Sequence, residues 1–439
     1  MQHSTLYKAA ILALASLGAG AATAQSSVTI YGNIDIALES HSKGAGDVAG
    51  TIWPASSSVA AETHMVAVTS SVSSVNQIGV KGTEDIGGGY KANFVLEGQM
   101  QPDTGAQSGQ DSRMWGRQAY LGLTTPVGEI RLGRQYAPMF FSFATTTVEA
   151  LGGADLQGFG LIVNNLQIRQ DNQISYWLKT GGLTAALSYS PQAGVDQKVS
   201  SSRGQAAGAA GGQILGGATA GGETSGSGGR GQTIGLFAHY AFDNGLSVTG
   251  SYHMNKFGDA VAYSAAAASL TPSGVLFNLD KYTGWALGTK YVIPGLGTQL
   301  SGLYHDGKYE MDDGGSIKTS TVGLGVKHPI GDFAIGAQYT LSKFTNFTKG
   351  KDQAVILIGD YNLSKRTKIY TRFGFAKDDR GNEANTANPY LNGAGVGVVG
   401  GPLPVLTGFG AQETPFFSGA GANVGDTTRF FAVGIRHMF

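Results

Sequence analysis

Strict alternation of apolar and polar residues is the feature that most limits how this chain can fold. It recurs in sixteen runs between Val28 and Phe439, most of them ten to thirteen residues long. The run LSVTGSYHM (246–254) places leucine, valine, tyrosine and methionine on one face, and serine, threonine and histidine on the other. A two-residue period is typical of a β-strand with one apolar and one polar face. The chain is therefore predicted to be all-β, with strands beginning near Val28, Ser74, Tyr90, Arg113, Glu129, Asp171, Leu183, Gln232, Leu246, Tyr282, Thr298, Ile317, Phe333, Gln353, Thr367 and Thr427.

The length of these runs points to a membrane. Strands of globular proteins usually have about five or six residues, whereas a tilted strand needs about 9–11 residues to cross the hydrocarbon layer. Because every backbone group inside a bilayer must be paired, a spanning sheet has to close on itself. The pattern predicts a sixteen-stranded antiparallel barrel with its apolar face toward lipid and its polar face around a lumen. Aromatic girdles are expected from Tyr240, Phe242, Tyr252, Tyr291, Tyr339 and Tyr361.

The connections between the runs alternate in length. Short turns rich in Gly, Asn and Pro occur at 86–89, 126–128, 181–182, 243–245, 294–297, 329–332 and 364–367. Longer segments separate the other runs, including the glycine-rich stretches 204–231 and 380–426, which are predicted to be external loops. This alternation is typical of an up-and-down meander whose two termini lie on the short-turn side.

A β-sandwich is the alternative fold for such a pattern. It would bury the apolar faces between two layers, but sixteen long strands would enclose more apolar area than one two-layer core can use. A sandwich also does not separate long loops from short turns in this way.

The first residues predict export. Lys8 is followed by an apolar stretch and by Ala22-Thr23-Ala24, the small-residue pattern of a cleavage site. Residues 1–24 are therefore predicted to be a signal peptide, and residues 25–439 the barrel. Loss of Lys8 leaves 30 − 1 = 29 bases against 30 acids, too little net charge to favour nucleic acid. The chain contains no cysteine and eight scattered histidines, and the sequence predicts no catalysis, metal or cofactor.

Several segments together resemble the general porins of Gram-negative bacteria, especially the betaproteobacterial type. They are SSVTIYGNIDIAL (26–38), IGVKGTEDIGGGYKANFVLEG (78–98), GRQAYLGLTTPVGEIRLGRQYAP (116–138), RQDNQISYW (169–177), YNLSKRTKIYTRF (361–373) and VGIRHMF (433–439). These segments are spread over the whole mature chain in the order expected for the family. It implies a homotrimeric outer-membrane barrel, in contact with lipid and lipopolysaccharide, whose third long loop folds into the lumen.

The resemblance also suggests which residues form a pore constriction, because porin selectivity depends on the width and charge of the narrowest part. Glu149 and Asp155, the two acids of the loop 137–170, are candidates for its acidic side. Solvated loop charges are an equally good interpretation of both. The basic side is assigned to Lys81, Arg113, Arg117 and Arg131, and Arg134 to the subunit contact. Strict alternation groups Arg117 with Ala119 and leaves its direction open, while Gln77 stands where many relatives have arginine.

The alternation also predicts which charged side chains point into the lumen. The inward bases would be Lys81, Lys91, Arg131, Lys179, Lys290, Lys327, Lys368, Arg372 and Arg436, and the inward acids Asp35, Glu39, Glu97 and Asp360. This excess predicts passive diffusion of ions and small hydrophilic solutes with a weak preference for anions. The alternatives are a channel specific for a carboxylate or similar anion, and a closed structural barrel that conducts nothing.

Overall fold

A computed structural model of the protein describes residues 27–43, 63–108, 113–148, 169–191, 213–215, 232–256, 262–264, 275–311, 314, 316–345, 350–378, 416–417, 420–421 and 427–439. The predicted signal peptide and most of the two glycine-rich segments lie outside these residues. No helix in the described ranges is both long enough and apolar enough to span a membrane.

Sixteen antiparallel strands form a closed barrel. They are β1 (Ser27–Lys43), β3 (Gln77–Gly87), β4 (Tyr90–Gln101), β6 (Gln118–Thr125), β7 (Gly128–Tyr136), β8 (Arg169–Thr180), β9 (Leu183–Ser190), β11 (Thr233–Ala241), β12 (Leu246–Lys256), β14 (Val275–Val292), β15 (Gln299–Met311), β16 (Ser316–Ile330), β17 (Phe333–Thr345), β18 (Gly350–Asn362), β19 (Thr367–Asp378) and β22 (Thr427–Met438). The described residues also include the short strands β2 (Thr63–Ser70), β5 (Ala106–Ser108), β10 (Gln213–Leu215), β13 (Ala262–Ser264), β20 (Phe416–Phe417) and β21 (Ala420–Gly421).

The closure of the barrel and most of the strand starts confirm the prediction. Two strands begin five or more residues from the predicted start: the run predicted from Arg113 begins at Gln118, and the run predicted from Tyr282 begins at Val275. Two more begin three residues away, at Gln77 instead of Ser74 and at Gly350 instead of Gln353. The strand predicted from Arg113 begins later because the Gly116 amide donates to the Arg113 carbonyl oxygen at 3.1 Å, a turn that delays the extended backbone. Seven short turns join β3–β4, β6–β7, β8–β9, β11–β12, β14–β15, β16–β17 and β18–β19 on one rim.

The outer face of the barrel is apolar. Leu236, Leu287 and Leu324 are exposed on it, while residues of opposite parity such as Thr249 and Gln338 are buried inside. Exposed aromatic side chains cluster near the short-turn rim, where Tyr240 and Phe242, and likewise Phe333 and Tyr361, have ring centroids 4.6 and 4.5 Å apart. This distribution confirms the prediction that apolar side chains point outward and polar side chains point to the lumen, since a soluble fold would cover these leucines.

The seam between the first and last strands closes beside the carboxyl end. Gly32 and Phe439 exchange two backbone hydrogen bonds of 3.1 Å, and the register continues from Asn33 opposite Met438 to Lys43 opposite Thr428. On its other side β1 pairs first with β3 and then with β2. Therefore β2 and β3 act as one interrupted strand, and residues 71–76 between them leave the wall.

Candidate functional site

A helix lies inside the barrel, packed on its inner wall. Helix α1 (Pro138–Thr146) begins at a proline, whose fixed φ and missing N–H suit the first turn. Met139 and Phe143 are completely buried, and the ring of Phe143 lies 5.9 Å from that of His305 on β15. Thr145 Oγ1 is 3.1 Å from Thr249 Oγ1 on β12. The inward folding of the third long loop is confirmed for this part of it.

The chain continues across the lumen after the helix. Lys290 Nζ, on β14, donates to the Thr147 carbonyl oxygen at 2.7 Å. Val148 then joins a buried cluster with Ile356 on β18 and Tyr370 on β19. Because β7 and β18 are far apart around the ring, residues 137–148 divide the lumen and narrow the path through it.

A second segment enters the lumen, and the sequence analysis did not predict it. Residues 71–76 are fastened to Asp35 of β1: the Ser71 amide donates to its carbonyl oxygen at 3.0 Å, and the Ser73 amide to its carboxylate at 3.1 Å. Val72 is buried in the same cluster as Val148. The two inward segments therefore pack into one apolar cluster on the inner wall.

Arg117 and Glu97 form the central ion pair of the predicted basic side. Arg117 Nε donates to Glu97 Oε1 at 2.6 Å, and Tyr31 Oη donates to Glu97 Oε2 at 2.9 Å. Lys81 Nζ lies 5.0 Å from the centroid of the Tyr31 ring. Arg117 precedes the first residue of β6, so alternation with Ala119 does not govern its direction. Tyr31 therefore links Lys81 to the ion pair of Arg117 and Glu97.

Tyr136 connects this pair to the helix. Its ring stacks on Phe140 at 4.5 Å, with the Arg117 guanidinium 5.7 Å and the Arg169 guanidinium 4.9 Å from its centroid. Sequence analysis did not single out Arg169. Its place in the RQDNQISYW segment was the available signal, because that segment directly follows the predicted constriction loop.

Arg113 and Arg134 share a single carboxylate. Arg113 Nη1 lies 2.6 Å from Asp171 Oδ2, and Arg134 Nη1 donates to Asp171 Oδ1. Arg134 Nε also donates to the Gly116 carbonyl oxygen at 2.7 Å. Arg134 is thus held within its own chain, and its assignment to a subunit contact stays a prediction.

Arg131 faces the lumen between the outward residues Ile130 and Leu132, but it is separate from the groups above. Its Nη2 lies 2.8 Å from Glu129 Oε2. Its guanidinium is also 4.9 Å from the Trp177 ring centroid, and the Trp177 ring in turn contacts Phe141 of the helix at 4.9 Å. Among the described residues, Arg131 reaches the inserted loop through the Trp177 ring. Glu149 and Asp155 lie outside the described residues.

A basic cluster surrounds Asp360 on the opposite wall. Asp360 Oδ2 is 2.8 Å from Lys327 Nζ and 3.1 Å from Lys368 Nζ, while Asp360 Oδ1 is 2.9 Å from Arg372 Nη2. Among the described residues, three bases therefore share the carboxylate of Asp360 and two bases share that of Asp171. In the low dielectric of the wall such fixed charges project a positive potential into the lumen.

Comparison with known proteins gives a consistent result. The sequence profile described as Gram-negative porin matches residues 9–382. The outer membrane porin protein 32 of Delftia acidovorans is 29% identical over 441 residues, covering 98% of this chain and 100% of the relative. An anion-selective porin from Comamonas acidovorans superposes with a TM-score of 0.62 at 23% identity, over 94% of this chain and 100% of that structure. The trimer form of OmpT from Vibrio cholerae superposes with a TM-score of 0.54 at 12% identity, over 94% and 99%.

Proposed function

Since the chain belongs to the family of Gram-negative porins and is an outer-membrane porin, we propose that it is a passive channel with a preference for anions and no catalytic role. The cluster at Asp360 carries this proposal. Among the described residues, the bases Lys327, Lys368, Arg372 and Arg436 outnumber the acids Asp360 and Asp35 in this part of the wall. An anion entering the lumen gains from this excess, and a cation of the same size is opposed by it. The similar barrel from Comamonas acidovorans is described as anion-selective, which supports the same preference.

The proposed constriction lies between the inserted loop and the wall formed by β3, β6 and β7. Lys81, Arg113, Arg117 and Arg131 provide its basic side, with Lys81 and Arg117 held by Tyr31 and Glu97. The acidic side is assigned to Glu149 and Asp155 by resemblance alone. Opposed charges across a narrow water path would focus the field on permeating ions.

The assembly is proposed to be a homotrimer, with Arg134 near the subunit contact. The described trimer form of the similar OmpT barrel supports this assignment. Removal of residues 1–24 on export is also proposed, since a charged start, an apolar stretch and a small-residue site precede the barrel. The apolar outer face would contact membrane lipid, and the long-loop rim the lipopolysaccharide layer.

Planar-bilayer recording tests the channel proposal. The refolded mature protein is expected to produce single-channel steps with conductance linear in salt, and a reversal potential of anion-preferring sign in a KCl gradient. A cation-preferring sign would refute the charge argument, and an absence of steps would refute the channel itself. Saturable block by one carboxylate would show a substrate-specific channel instead.

A further inference from the structure

Six lysines form a row on the outer face of the barrel, close to its long-loop rim. We call it the lysine belt: Lys256, Lys281, Lys308, Lys318, Lys343 and Lys351. Each lysine lies four positions closer to that rim than an outward residue on the same strand. In the same order as the lysines, these outward residues are Tyr252, Trp285, Tyr304, Val322, Tyr339 and Val355. Because side chains on a strand repeat their direction every two residues, the lysines point outward as well.

The belt places like charges directly opposite one another. Lys256 pairs with Lys281 across β12 and β14. Lys308 pairs with Lys318 across β15 and β16, and Lys343 with Lys351 across β17 and β18. Directly opposite side chains have Cβ atoms about 5 Å apart, and like charges at that distance destabilise a sheet. Three such pairs in consecutive strands need a source of negative charge.

The chain itself supplies little negative charge to the lysine belt. Glu310 Oε2 lies 2.8 Å from Lys281 Nζ, and Glu310 Oε1 lies 2.6 Å from Lys308 Nζ. Asp280 and Asp306, both in the described ranges, form no ion pair with the belt there. Within the described part of the chain, no carboxylate pairs with Lys256, Lys318, Lys343 or Lys351, and all four are exposed.

The height of the belt matches the edge of a bilayer. On β14, Lys281 precedes the short-turn girdle residue Tyr291 by ten positions. Ten residues span about 33 Å along a strand, and a tilt of about 40° reduces this to about 25 Å along the membrane normal. That distance equals the height of the apolar band of such barrels. The belt therefore lies at the polar boundary on the long-loop side, which is the extracellular side.

The belt lies on one half of the barrel, and the outward bases Lys377 on β19 and Arg429 on β22 continue the row on that half. Toward the same rim on β1 to β9, exposed outward residues include Val66, Val68, Leu121 and Leu187. None of the outward side chains described on those strands is a lysine. Two copies of the chain would repel each other across the belt, so this half of the barrel suits lipid, and the half from β1 to β9 suits a subunit contact.

We propose that the lysine belt binds the phosphate groups of an outer-leaflet glycolipid. Ammonium groups form strong charge-assisted hydrogen bonds with phosphate oxygens. Two lysines on neighbouring strands can hold one phosphate between them, while its acyl chains lie on the apolar residues below. The inference rests on the outer-membrane placement of the porin and assigns a site to the contact with lipopolysaccharide.

Binding of bisphosphorylated lipid A tests the proposal. The detergent-solubilised full mature protein would be titrated with this lipid, and with the same lipid after removal of both phosphates, and bound lipid counted by native mass spectrometry. The test variant is Lys318→Gln, Lys343→Gln and Lys351→Gln combined. Its matched control is Lys91→Gln, Lys179→Gln and Lys365→Gln combined, which removes three exposed lysines from the short-turn end.

We expect the belt variant to bind bisphosphorylated lipid A at least about tenfold more weakly than the wild type, and the control variant to bind it equally well. Equal binding by the belt variant, or equal binding of the phosphate-free lipid by the wild type, would overturn the proposal. Bilayer recording of the belt variant separates this result from the channel proposal. If the belt variant keeps its single-channel steps but loses lipid binding, the lipid-binding proposal is supported. If the wild type shows no single-channel steps, only the channel proposal is refuted.

Discussion

The phenyl ring of Phe439 lies across the Cα of Gly32, so that a Cβ at this glycine would be 2.3 Å from the ring atom Cζ. The carbonyl oxygen of Gln77, on the other neighbouring strand, would be 2.7 Å from the same Cβ. Backbone on one side and the terminal ring on the other leave no room for a methyl group. The two residues thus form a close-packed seam where the barrel closes.

Gly32→Ala is expected to weaken this seam. Overpacking of this kind costs about 1–3 kcal/mol, because the ring or the strands must shift. Gly302→Ala is the matched control, since the nearest atom to its added Cβ would be 3.8 Å away. The measurement is the temperature at which half of the protein has lost its folded form, read from a gel. A decrease in this temperature for Gly302→Ala as large as that for Gly32→Ala would contradict the explanation.

Glu97→Gln is expected to destabilise the barrel. The ion pair between Glu97 and Arg117 is mostly buried, with side chains 5% and 10% exposed, and its loss leaves an uncompensated charge. Breaking a buried pair costs about 3–5 kcal/mol. Glu129→Gln breaks the more exposed pair with Arg131 and should cost no more than about 1 kcal/mol. Urea unfolding of the reconstituted protein measures both, and equal losses would refute the distinction.

Lys327→Gln is expected to reduce the preference for anions. One unit charge at about 8 Å in water is worth about 0.5 kcal/mol, which corresponds to a change of about twofold in the permeability ratio. Reversal potentials in a KCl gradient measure it. Lys365→Gln removes the same charge from an exposed turn and should change the ratio less. An increased anion preference in Lys327→Gln would show that the cluster does not set the potential.

Phe143→Ala is expected to loosen the inserted helix. The ring is 1% exposed, and removal of a buried phenylalanine costs about 3–5 kcal/mol. A helix that leaves the wall should produce noisier channels with an altered single-channel conductance. Phe242→Ala, on the outer face of the barrel, is the control and should keep the wild-type trace. Identical, quiet recordings from both variants would refute a role for Phe143 in holding the loop.

Much of the barrel could be predicted because one rule acts on every strand. Lipid outside and water inside impose one two-residue period on all strands. The position of Leu324 or Gln338 in that period is therefore enough to predict whether its side chain points outward or inward. The rule stops where the chain leaves the wall. Arg117 lies in a turn, and its contact with Glu97 depends on a fold that local spacing does not contain. Its inward direction was suggested only by resemblance to a family.

The inward segments were harder to predict for a related reason. Residues 71–76 read as part of a strand and its loop, because serine and valine suit both. Their anchoring to Asp35 depends on a contact 36 or more residues away in the sequence. Helix α1 is only nine residues long, too short for a clear helical period. The resemblance implied that the third long loop folds into the lumen, and the described residues 137–148 confirm this.

Closure of the ring through β1 and β22 makes insertion an all-or-none event. Until the strand nearest the carboxyl end arrives, both β1 and β19 present unpaired peptide groups that hydrocarbon cannot solvate. A chain that ends before Thr427 would contain all of the other fifteen strands but would still not be stable in the bilayer. The strand made last is therefore the one on which closure depends: without these twelve residues, the preceding fifteen strands form an open sheet.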